Sequence, residues 1–141
     1  GICARGTSSL IVRRCAICDC GRRGVYAYQN AALNMTDSAI HGTEDSARAA
    51  VELAGARPGD GVRGTISRCE ISGNQGAGLR LSGAVEYFLL DVTVERNGVD
   101  IDIVSGEENG ELPRVMQADV AATGGAAAVA SSRGADARSS A

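Results

Sequence analysis

Residues 66–83 read ISRCEISGNQGAGLRLSG, and their reading decides the fold. Two short segments, CEI and LRL, alternate large apolar with polar side chains, which is the period of a strand with one face buried. Gly, Asn and Ser separate them, the residues that turns favour. The same offsets recur along the chain. Cys69, Ile71 and Asn74 are followed by Gly78-Leu79-x-Leu81, and Cys15, Ile17 and Cys20 by Gly24-Val25-x-Ala27. Ser38, Ile40 and Thr43 lead to Ala50-Val51-x-Leu53 across an insertion, and Val92, Val94 and Asn97 lead to Asp100-Ile101-x-Ile103 with one residue fewer. The interval from position 15 to 38 equals that from 69 to 92, while that from 38 to 69 is longer by the insertion. The stretch is one copy of a repeat of about 23 residues, and a period in the twenties marks a solenoid.

If equivalent positions stack at about 4.8 Å per coil, the repeat sorts its residues into columns. Ile2, Val25, Val51, Leu79 and Ile101 face inward, as do Ala4, Ala27, Leu53, Leu81 and Ile103. So do Cys15, Ser38, Cys69 and Val92; Ile17, Ile40, Ile71 and Val94; and Val12, Met35, Ile66 and Leu89. Ser38 is the one polar inward residue, and a hydroxyl can bond a nearby backbone carbonyl. Two outward columns, Arg14-Asp37-Arg68-Asp91 and Tyr26-Glu52-Arg80-Asp102, set charges of opposite sign on neighbouring strands, the arrangement that supports stacking. The turn column is Cys20, Thr43, Asn74 and Asn97. Stacked amides there bond from coil to coil, so Asn74 is read as geometry rather than chemistry.

The pattern I-x-x-C-x-I-x-x-N-x-x-x-G-L-x-L resembles the right-handed parallel β-helix repeat of the pectin-lyase-like superfamily. The same repeat is found in β-helix regions of certain F-box proteins and of carbohydrate-binding and sugar-hydrolase domains. The expected fold is therefore all-β: a right-handed parallel β-helix of about four coils over residues 1–120, and a tail over 121–141. The tail is rich in Ala, Gly, Ser and Arg, too poor in large apolar residues to close a core, and is expected to be disordered. VMQADV (115–120), one repeat period after VTVERN, is a poor match for the start of a further coil. Because the repeat opens in mid-coil, a piece of a longer solenoid is expected.

Composition fits this reading and narrows the function. The 141 residues are 44% apolar but only 3% aromatic, so Val, Ile, Leu, Ala and Cys must build the core. Only Tyr26, Tyr28, Tyr87 and Phe88 could offer aromatic platforms to a sugar. The net charge of −3 gives no general attraction to nucleic acid. No apolar run approaches the ~20 residues of a membrane span.

Cys3, Cys15, Cys18, Cys20 and Cys69 do not converge on one point, as a structural zinc requires. Cys15 and Cys69 lie two coils apart, about 9.6 Å by the coil spacing, too far for a disulfide. Reduced thiols are expected, with no metal and no cofactor, and they point towards a reducing compartment. His41 is the only histidine and is expected outward beside Cys18.

What the superfamily resemblance implies for catalysis is an Asp pair in the hydrolases, or Ca²⁺-binding Asp with an Arg base in the lyases, on an exposed sheet face. The candidates are Asp100 and Asp102, expected on one outward face, with Arg80 and His41. No G-H-G or R-I-K element accompanies them, IHGT (40–43) precedes the Asp pair where the hydrolase order is the reverse, and no three-carboxylate Ca²⁺ set assembles. The expectation is a non-catalytic module that presents a surface to a protein or carbohydrate, with Arg14, Arg68, Glu70, Asp91 and Glu95 as binding candidates. The alternative is part of a polysaccharide lyase, glycoside hydrolase or uronate epimerase. The interruptions at 43–50, 54–61 and 105–113 are expected to leave the coils as loops.

Overall fold

A computed structural model describes residues 1–122. They form twelve strands: β1 (Ile2–Ala4), β2 (Ser9–Arg13), β3 (Ala16–Cys18), β4 (Val25–Tyr28), β5 (Ala32–Thr36), β6 (Ala39–His41), β7 (Ala49–Gly55), β8 (Val62–Ser72), β9 (Ala77–Gly83), β10 (Val85–Glu95), β11 (Val99–Val104) and β12 (Arg114–Ala122). Every pairing is parallel and joins a strand to its counterpart one repeat on. One sheet runs β1-β4-β7-β9-β11; the other runs β2-β5-β8-β10-β12, with β3 and β6 continuing it beside β8. The chain is a parallel β-solenoid, and β12 brings a fifth coil to the second sheet.

The register is the one the repeat dictates. Cys69–Ile71 pairs with Val92–Val94, and Leu79–Leu81 pairs with Ile101–Ile103. The fifth coil differs from expectation. Val115 lies opposite Tyr87, and Val92 opposite Val120, so the last step overshoots the repeat period. The loop at 105–113 accounts for the extra length, because residues that leave the stack do not disturb its register. The insertion in the second coil is shorter than expected: β7 begins at Ala49 and runs to Gly55, leaving 43–48 and 56–61 outside the sheets.

The core lies between the two sheets. Val25, Val51, Leu53, Ile66, Ile71, Leu79, Leu81, Leu89 and Ile101 are at most 1% exposed. At the first coil the inward columns open to solvent: Ile2 is 36% exposed, and Cys15 is also exposed. Ser38 is buried and donates to the carbonyl of Thr36 at 2.9 Å, the local bond that makes a hydroxyl tolerable there.

One corner is built by residues the sequence does not flag as turn formers. Arg14, Asp37, Arg68, Asp91 and Asp119 all have φ between 49° and 55°. This left-handed conformation is uncommon outside glycine and costs about 1 kcal/mol or more for most side chains. Here it recurs in every coil, bending the sheet between the segments before and after it. β8 and β10 run continuously through the bend.

Candidate functional site

The bend creates a shallow trough along the solenoid axis, about 640 Å³ in volume. One wall is the left-handed column Arg14, Asp37, Arg68 and Asp91; the other carries Glu70 and Thr93. Four of the five binding candidates, Arg14, Arg68, Glu70 and Asp91, therefore come together. Within the column the Arg68 guanidinium grips Asp37 with two bonds, at 2.7 and 3.2 Å. That pairing, with the charge of Arg14, holds the Asp37 carboxyl below its usual range. Cys69 sits at the trough floor, its thiol pushed up chiefly by burial. Glu95, the fifth candidate, stands apart from the trough and pairs with Arg96 at 2.6 Å. Arg96 also reaches Glu70, at 3.8 Å.

The catalytic candidates do not converge. Asp102 and Arg80 are paired at 3.0 Å on the outer face of the first sheet, where Arg80 also approaches Glu52 at 4.0 Å. His41 is on the second sheet, its Cα opposite Cys18. Asp100 is a correction: it is 1% exposed and does not share the outward face of Asp102. Its position in the repeat is that of Gly78, where a Cβ would run into Val94 and Asn97 of the next coil. At Asp100 the carboxylate turns under the amide column. Asn74 Oδ1 accepts the N–H of Thr43 at 2.9 Å, and Asn97 Oδ1 accepts the N–H of Asn74 at 3.1 Å. Asp100 Oδ1 then accepts the N–H and Nδ2 of Asn97, at 3.2 and 3.1 Å. It supplies from within the same coil what the next coil's Asn would supply. The missing residue between Val94 and Ile101 is the sequence trace of this arrangement.

The four aromatic side chains available as sugar platforms are largely occupied. Tyr26 stacks on Tyr28 with ring centroids 4.6 Å apart, and the Arg23 guanidinium lies 4.0 Å from its ring centre. Arg23 in turn binds Glu52 at 2.9 Å. Burial, more than the opposing charge of Arg23, pushes the Tyr26 phenol up. Tyr87 is buried, and Phe88 is half-buried. The loops at 56–61 and 105–113 hold each other: Asn109 Nδ2 donates to the carbonyls of Gly55 and Arg57 at 2.7 and 3.2 Å. Each of the five cysteines is a free thiol. Among the described residues no three His, Cys, Asp or Glu side chains gather into a metal-binding group. No helix among them is long and apolar enough to cross a membrane.

Stacked parallel coils, inward aliphatic columns and an amide ladder at the turn define a β-solenoid. The chain belongs to the right-handed β-helix family, whose model matches residues 1–132. No curated protein and no solved structure matches it. The expected tail beyond Ala122 lies outside the described residues, while Ala121 and Ala122 close β12.

Proposed function

We propose that the chain is a non-catalytic β-helix module that binds a partner through the trough, with a protein favoured over a carbohydrate. The observation that carries this reading is the separation of the catalytic candidates. Hydrolysis needs an acid and a base facing one bond. Here Asp100 is committed to the amide ladder, Asp102 is neutralised by Arg80, and His41 stands on the other sheet. Four of the five binding candidates, by contrast, share one open trough. Covered tyrosine faces favour a protein partner, because sugar rings bind best on free aromatic faces.

The test has two arms. Polygalacturonate and alginate incubated with the chain should yield neither unsaturated nor reducing ends. Cleavage that disappears in Asp102→Asn would overturn the reading in favour of a polysaccharide-active enzyme. In native gels cast with the same polysaccharides the chain should migrate as it does without them. Retardation that is lost in Arg68→Ala would make the partner a carbohydrate.

A further inference from the structure

We propose that the bent sheet around the trough is a self-complementary interface through which two copies of the chain pair with their solenoid axes antiparallel. This deepens the binding-module reading by naming its partner. The observation is the order of charge. With Asp119 of the fifth coil left overhanging, the left-handed column reads Arg14, Asp37, Arg68, Asp91 along the axis, that is plus, minus, plus, minus. Reversed, it reads minus, plus, minus, plus. A two-fold axis along the strands, between the second and third coils, sets Arg14 opposite Asp91 of the second copy and Asp37 opposite Arg68. A parallel arrangement would set every charge against its own kind. A closed two-fold contact is the commonest oligomer geometry, and in it each residue pair occurs twice.

The rows flanking the column obey the same symmetry. In the row that passes through Ile11, Asn34, Thr65 and Phe88, the operation sets Ile11 opposite Phe88 and Asn34 opposite Thr65. Ile11 is 64% exposed on the edge strand β2, and Phe88 is half-buried. On the other side of the bend, Glu70 falls opposite Ala39. No row brings like charges together. Arg68, already bonded to Asp37 of its own chain, comes to lie against Asp37 of the second copy as well. Four coils of about 4.8 Å and ten residues of about 3.3 Å along the strands give roughly 600–650 Å² per copy. That total lies near the lower bound for a specific interface, so a weak, salt-sensitive pair with Kd of about 10–100 µM is expected.

The test is sedimentation equilibrium of the full chain with charge-reversed variants. Arg14→Asp and Asp91→Arg use residue types the column already holds in left-handed conformation. By symmetry each creates two like-charge contacts, so each should weaken association at least tenfold. An equimolar mixture of the two variants should recover wild-type association, because both cross-contacts are then of opposite sign. Arg14 and Asp91 are three coils apart in one chain, about 14 Å, so recovery on mixing reports contact between chains. Ile11→Ser should also weaken pairing, and raising the salt should do so for the wild type. Circular dichroism melts establish that the variants fold. Should one not fold, Arg14→Asn and Asp91→Asn must each still weaken association. A wild-type chain that stays monomeric to millimolar concentration overturns the pairing, as does a mixture that fails to recover. Either result leaves the polysaccharide assays to decide the binding-module reading separately.

Discussion

Tyr87 shows how one glycine lets a side chain tie three coils together. Its strand partner one coil back is Gly64, and Gly64 in turn faces Leu33. With no side chain at Gly64, the phenol reaches across that coil and donates to the Leu33 carbonyl at 2.8 Å. A Cβ at Gly64, where φ is 152°, would collide with that carbonyl and crowd the Tyr87 hydroxyl at 3.1 Å. Tyr87→Phe should therefore cost about 1–2 kcal/mol at neutral pH, because a buried acceptor loses its donor. Burial also pushes the Tyr87 phenol well above its ordinary value of 10.0. Below that value folded and unfolded chains both hold the proton. Above it the unfolded chain ionises first, so stability is lost as pH rises from about 10. In urea melts between neutral pH and pH ~11, Tyr87→Phe should start less stable and decline less steeply. A parallel decline would mean that Tyr87 ionises in the folded chain as freely as in the unfolded one.

At the turn element, two neighbouring acidic residues with similar sequence surroundings play opposite parts. The alternation of NGVDIDI places Asp100 and Asp102 on one face, and this reading holds only if the strand is regular from its first residue. It is not: at Asp100, the second residue of β11, the pairing with β9 is interrupted and the side chain turns inward, beneath Asn97. Periodicity locates the faces of a strand but is blind to the residue at which a bend hands over to it. The repeat did carry a hint, in the deletion beside Asp100. The ladder also predicts energetics. Asn74→Ala strands the buried N–H of Thr43, and Asp100→Ala strands the part-buried N–H of Asn97. Each should cost about 2–4 kcal/mol, from a lost bond and an unpaired polar group. Asp102→Asn breaks only a half-exposed ion pair and should cost about 0.5 kcal/mol or less. Urea midpoints rank the three. A large loss in Asp102→Asn would mean that the Glu52-Arg80-Asp102 row acts as a network.

At the scale of the whole molecule, the columns were legible because stacking imposes one rule on every coil. Inward positions are apolar apart from Ser38, and outward charges alternate through the first four coils. What stayed hidden were features that leave this rule intact: the longer step into β12 and the left-handed column. A loop of any length preserves the register, and a charged residue with left-handed backbone reads like any outward residue. The same one-dimensional construction governs unfolding. Apart from the Tyr87–Leu33 bond across the third coil, each coil contacts chiefly its neighbours, so stability is close to a sum over coils and their interfaces. β8 lies between β5 and β10, and β10 between β8 and β12, whereas β1 has only β4 and β3 only β6. The first coil also exposes Ile2, Ile11 and Cys15. Opening it breaks one interface; opening the third breaks two. Amides of β1–β3 should therefore exchange through local opening, while those of β8 and the inner half of β10 approach the global unfolding free energy. Hydrogen exchange followed by mass spectrometry reads this gradient peptide by peptide. Equal protection of residues 2–18 and 62–72 would show that the stack opens as one cooperative unit, and the nearest-neighbour account would fail.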